Sequence, residues 1–199
     1  MLRVGVLASH GGSNLQAVLD AIRDDRLDAT LVVVISNNAG AGALGRARAA
    51  GVPDRHLSGR THPDPVALDA AIRDELTNHG ADVVLLAGYM KKLGPGTLAA
   101  FRNRILNVHP ALLPKHGGPG MYGIAVHEAV LAAGDEEPGA SIHLVEEEYD
   151  AGPVIAQKRV AVDPDATPES LRLRVLEAEH TLVVETLQRI AAGTLRLPE

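Results

Sequence analysis

Two polar side chains interrupt an apolar run in "ILNVHPALLPK", residues 105–115. Asn107 and His109 lie two residues apart, so on an extended chain they project to the same side. An amide N–H and an imidazole N–H converging on one oxygen suit a developing oxyanion. Pro110 and Pro114 stop regular structure just beyond the pair. The plainer reading is that both side chains merely tie down that loop.

Carboxylates follow in "EEEYDAGPV", residues 146–154. Glu146, Glu147 and Glu148 read as a solvated face. Asp150 is the sharper candidate, because a carboxylate beside an imidazole orients it and holds its charge. An Asx-type turn would account for Asp150 equally well. Glu179 falls among Val175, Leu176, Leu182 and Val183 on one helical stripe. Burying a lone carboxylate is costly, so Glu179 either has a partner, reaches a pocket, or marks an exposed helix edge. His10, His56, His62, His79, His116 and His180 are read as ordinary structural residues.

The third feature is "SHGGSN", residues 9–14. Glycines let the backbone turn sharply, and a helix N-terminus offers unpaired N–H groups to an anion. The pattern is neither G-x-G-x-x-G nor a Walker loop with its Lys. It reads equally as a tight strand–helix turn capped by Ser13, with Gln16 completing a capping box.

Strand and helix alternate around these residues. Residues 2–8 form an apolar β-branched run. Leu15, Val18, Leu19 and Ile22 then mark one face of a helix. Strands are expected at 30–37, 81–88 and 104–108, and helices at 43–51 and 64–80. Asp64 reads as N-cap with Pro65 at N1. A Gly/Pro-rich loop covers 109–123, with a helix at about 124–133 beyond it. Two further strands are expected at 139–145 and 152–162, and they pair less regularly. A long helix fills about 168–192, with Thr167 as its N-cap. The pattern implies an α/β fold, a mostly parallel sheet with helices on both faces. Sites in such sheets lie outside the carboxyl ends of the strands, which is where Asn107 and His109 fall.

Composition narrows the functional classes. The chain has 199 residues, 46% hydrophobic and 22% charged, which suits one domain over 1–199. A formal net charge of −6 disfavours a phosphate-gripping nucleic-acid binder. No apolar run approaches the roughly 20 residues of a membrane span. The absence of cysteine excludes disulfides and thiolate chemistry, and a cytoplasmic location is the simplest expectation.

Taken together, "GGSNLQAV" (11–18), "LLAGYMKKL" (85–93), "ILNVHPALLPK" (105–115), "GASIHLVEEEYDAGPVI" (139–155) and "EAEH" (177–180) resemble the phosphoribosylglycinamide formyltransferases. The resemblance covers nearly the whole chain. It implies a Rossmann-like formyltransferase fold. It further implies 10-formyltetrahydrofolate as formyl donor and glycinamide ribonucleotide as acceptor, with no metal and no nucleic-acid partner. Gly12, Ser13, Asn14 and Glu179 match the ribonucleotide site, and Asn107, His109 and Asp150 the catalytic trio. Met90, Lys91, Lys92, Leu93, Asn107 and Glu146 through Asp150, with Tyr149, match the folate site. A homodimer stays open.

There are departures. Pro65 stands where relatives carry a folate-contacting Arg, and Lys91 stands where an Arg is common. The 115–127 segment is longer than usual. Within the wider superfamily, methionyl-tRNA formyltransferase would add a tRNA-binding domain, and formyltetrahydrofolate deformylase an N-terminal one. A catalytically silent folate- or nucleotide-binding module is the alternative from another class, and the Asn-His-Asp trio argues against it.

Overall fold

The computed structural model describes residues 1–163 and 165–198. The chain runs β1 (Leu2–Leu7), α1 (Ser13–Arg23), β2 (Ala29–Ser36), α2 (Gly42–Ala49), β3 (Asp54–His56), α3 (Pro65–Asn78) and β4 (Val83–Leu86). It continues through α4 (Pro95–Ala100), β5 (Ile105–His109), α5 (Ile124–Ala132), β6 (Gly139–Leu144), β7 (Val154–Arg159) and α6 (Pro168–Ala191). The seven strands form one sheet in the order β3-β2-β1-β4-β5-β6-β7.

Pairing is parallel from β3 to β5. It turns antiparallel at β5–β6 and β6–β7. The mostly parallel sheet expected from the strand–helix alternation is present, and the two late strands depart from it by running antiparallel. Helices cover both faces. Alternate residues of each buried strand serve opposite cores: Val83 and Leu85 of β4 join one cluster, Val84 and Leu86 the other. That two-sided burial explains why the sequence shows continuous apolar runs instead of alternation.

Helix termini follow local chemistry with one exception. Asp64 caps α3 by accepting from the Val66 N–H at 3.1 Å. Thr167 and Ser170 form a reciprocal capping box on α6. Ser13, however, is the first residue of α1 and not its cap. The N-cap is Gly12, in the left-handed region at φ 74° with no side-chain cap bond. Gln16 therefore points away from the helix end and pairs with Asp20 and Arg46.

Two elements lay outside the expected pattern. The edge strand β3 is Asp-Arg-His, which carries no apolar signal, and it exists through pairing with Val34–Ser36. Helix α4 is held from a distance. Asp69 of α3 accepts from the Gly96 and Thr97 N–H groups at 2.7 and 3.0 Å. A carboxylate on those orphan donors stabilises a helix start, but it comes from another helix and leaves no local sequence mark. Among the described residues no helix is long and apolar enough to cross a membrane.

Candidate functional site

Strand order reverses direction between β1 and β4, and loops leaving the carboxyl ends of these strands part there to leave a crevice. A cavity of about 800 Å³ fills this position. Its wall takes His10–Asn14 after β1, Ala87–Met90 after β4, and Asn107–Pro110 at the end of β5. Ser9 ties the first two loops together: its hydroxyl accepts from the Met90 N–H at 2.8 Å and donates to Asn37 at 2.5 Å.

The polar centre is built on strand register. Asn107 of β5 stands opposite His143 of β6, so both side chains share one face. His143 Nδ1 donates to the Leu144 carbonyl at 2.8 Å. Its Nε2 stands 3.0 Å from the Asn107 amide nitrogen. Asp150 Oδ1 lies 3.4 Å from the same Nε2, and Oδ2 lies 3.6 Å from His109 Nδ1. The second distance is that of an ion pair and not of a hydrogen bond.

Asp150 reaches this point from the β6–β7 turn, in the left-handed region at φ 54°. Short polar residues such as Asp tolerate that conformation. Its Oδ2 accepts from the Gly118 N–H at 2.9 Å, which pins the long loop to the site. Burial pushes the Asp150 pKa up, but the His143 side chain, the His109 charge and the Gly118 N–H outweigh it and hold the carboxyl below its usual range. His109 is 3% exposed. Burial pushes its pKa down, and Asp150 only partly opposes this. The His109 Nε2–H donates to the His116 carbonyl at 2.8 Å, so the nitrogen aimed away from Asp150 carries the proton.

At the opposite wall, Glu179 of α6 is 9% exposed. Asn14 Nδ2 donates to its carboxylate at 2.7 Å. Burial raises the Glu179 pKa to about 7 against the opposing pull of Asn14. The carboxylate within the apolar stripe thus has both a partner and a cavity to face.

The cavity gathers Gly12, Ser13, Asn14, Met90, Asn107, Tyr149, Asp150, His109 and Glu179 from the residues singled out in the sequence. Lys91, Lys92, Glu146, Glu147 and Glu148 are exposed and off its wall. Lys92 instead stands 5.8 Å over the Tyr149 ring, a cation–π contact. Leu93 is 5% exposed and packs in the core beneath α3 and α4. Pro65 opens α3 on an exposed turn. The Met90 N–H is taken by Ser9.

Sequence reasoning overlooked His143 and His127. His143 breaks the apolar run "GASIHLV" just as His109 breaks its own, so the same signal was available. His127 of α5 is 2% exposed, and among the described residues its Nδ1 has no hydrogen-bond partner. Burial, aided by the Arg172 charge, lowers its pKa to about 4. His116, read as ordinary, supplies the carbonyl that His109 bonds, and its own ring contacts Asp135 at 2.7 Å. Among the described residues no group of three or more His, Asp or Glu is gathered as a metal site needs.

A half-buried amide, the His109 imidazole and a carboxylate held below its usual range line one cavity, and with the His143 imidazole that contacts two of them they can stabilise an oxyanion and exchange a proton. The formyl transferase family model matches residues 2–187. The chain belongs to the formyl transferase family. Its relatives include the phosphoribosylglycinamide formyltransferase of Escherichia coli, 37% identical over 198 residues, of which the chain spans 91%. It is 40% identical over 197 residues to the trifunctional purine biosynthetic protein adenosine-3 of Bos taurus, and spans 19% of that longer protein. Among solved structures, glycinamide ribonucleotide transformylase 1 of Symbiobacterium toebii superposes with a TM-score of 0.91 at 41% identity. That match covers all of this chain and 91% of the other.

Proposed function

We propose that the protein transfers the formyl group of 10-formyltetrahydrofolate to the primary amine of phosphoribosylglycinamide, a step of purine biosynthesis. The observation that carries this reading is the Asn107–His143–Asp150–His109 array, of which Asn107, His109 and Asp150 line one cavity with the 12–14 loop and Glu179.

The substrate amine attacks the formyl carbon, and the carbonyl oxygen becomes an oxyanion. The Asn107 amide and the His109 Nε2–H are the donors suited to it. His109 must exchange the His116 carbonyl for the oxyanion, since both are acceptors competing for one proton. Negative charge at that position raises the His109 pKa, and Asp150 at 3.6 Å supports the imidazolium that results. The proton lost by the attacking amine passes to the leaving nitrogen through this array and water. At the far end the α1 N-terminus receives the phosphate, and the Asn14–Glu179 pair faces the ribose hydroxyls. One domain over residues 1–199, acting in the cytoplasm on small molecules alone, completes the reading.

Product analysis tests it. Purified protein with both substrates is expected to yield formylated ribonucleotide and free tetrahydrofolate. Formate as the product would make the protein a deformylase, and no turnover would leave a binding module. His109→Ala should abolish most of the transfer, because losing one oxyanion donor costs about 10²–10³ in rate.

A further inference from the structure

Helix α2 begins hard against the glycine loop. The Ala43 N–H donates to the His10 carbonyl at 3.1 Å. A Cβ on Gly42 would stand 3.2 Å from the Gly11 backbone, and one on Gly12 would meet Ala43 at 2.9 Å. Small residues on both sides permit this approach, and it delivers the residue one turn along α2 to the loop. That residue is Arg46. Its Nε donates to the Gly11 carbonyl at 2.8 Å and its Nη1 to Gln16 at 2.7 Å. A guanidinium carries five N–H donors, so three remain. Among the described residues Arg46 forms no salt bridge, and it lies on the cavity wall beside Ser13.

A second observation points to a ligand at the same end. Asn14 is 7% exposed and lines the cavity, yet among the described residues its Oδ1 has no hydrogen-bond partner. Buried acceptors are normally satisfied. The α1 N-terminus beside it has no acidic residue in its first turn and no side-chain cap. An unneutralised guanidinium and uncapped helix N–H groups, all donors, thus border one space, and the open Asn14 acceptor calls for a hydroxyl on the same ligand.

We propose that Arg46 is a phosphate-binding residue, which closes over the anion at the α1 N-terminus and sets the preference for phosphorylated over unphosphorylated substrate. The inference rests on the reading that the 12–14 loop takes the phosphate. Gln16 is its positioning partner: the hydrogen bond to Nη1 fixes the plane of the guanidinium so that its free edge faces the cavity.

Two measurements on the full-length protein test this, using Arg46→Gln and Arg46→Lys. The first is the thermal midpoint with and without inorganic phosphate. The second is the ratio of kcat/KM for the ribonucleotide to that for its dephosphorylated riboside. Phosphate should raise the parent midpoint, and the rise should shrink in Arg46→Gln and return in part in Arg46→Lys. The substrate ratio should fall about 10- to 100-fold in Arg46→Gln, the value of a charge-assisted hydrogen bond. Equal losses for both substrates would mean that Arg46 only braces the loop, and would overturn the proposal. A phosphate response equal in parent and Arg46→Gln would overturn it while leaving the 12–14 site intact. No response in the parent would remove the anion site itself. If Arg46→Gln does not fold, Arg46→Met carries the test: a ratio unchanged from the parent, with an unchanged phosphate response, refutes the role.

Discussion

Replacing Glu179 with Gln isolates a carboxylate that folding desolvates. In the native protein its carboxyl titrates at about 7, against an ordinary 4.5. The difference of about 2.5 in pKa, at about 1.36 kcal/mol per unit, amounts to about 3 kcal/mol. The native state holds this proton more tightly than the unfolded chain does. The associated stability is therefore fully present below pH 4.5, falls between pH 4.5 and 7, and is absent above. Gln keeps an uncharged acceptor for the Asn14 amide and does not titrate. Urea midpoints of parent and Glu179→Gln, measured at intervals from pH 4.5 to 8, give the test. Other carboxyls titrate alike in both proteins and cancel in the difference. Relative to the parent, the variant should gain about 3 kcal/mol across the window, roughly 1–3 M in urea midpoint for common m values. A difference that stays flat from pH 5 to 8 would refute the reasoning, because it would mean that the carboxylate is not desolvated in the folded state.

His143→Leu removes the neighbour of the Asn107 amide and of Asp150. It should slow formyl transfer, and combining it with Asn107→Ala should cost little more than Asn107→Ala alone, as rates per folded molecule will show. His109→Ala with Asp150→Asn should likewise cost far less than the two single losses multiplied together. Gly12→Ala forces a side chain onto φ 74° and against Ala43 at 2.9 Å, so its denaturant midpoint should fall by about 1–3 kcal/mol of stability. An unchanged midpoint would show that the loop can move aside.

The helices that could be read from the sequence are those that carry their own signals. Leu15 and Val18 mark the buried face of α1, and Asp64 and Thr167 cap the helices they precede. What escaped depends on partners far along the chain. Asp69 starts α4 from another helix, and β3 exists only through β2. Ser13 has the right chemistry for a cap, but the close approach of Ala43 demands glycine geometry at the preceding residue, so Gly12 takes that position. At the candidate site the spacing of Asn107 and His109 was legible because an extended strand fixes side-chain direction. The insertion of His143 between Asn107 and Asp150 was not, because it follows from antiparallel register across 36 residues of sequence separation. Arg46 stayed hidden for the same reason: a helical arginine reads as solvated surface until the loop it touches is known.

The Asn14–Glu179 hydrogen bond joins residues 165 positions apart. Synthesis proceeds from the N-terminus at about 5–20 residues per second, so Asn14 precedes its partner by about 10–30 s. Through that interval the glycine loop exists without the wall that α6 provides. A small molecule stabilises only the form that binds it, so substrate cannot protect a nascent chain and begins to act once α6 has packed. Chains released early, lacking α6, would carry the whole Asn107 and His109 strand without the Glu179 side of the pocket. Binding at that end of the pocket is therefore open only to chains in which α6 has packed, which follows from placing one half of a pocket at each end of the sequence.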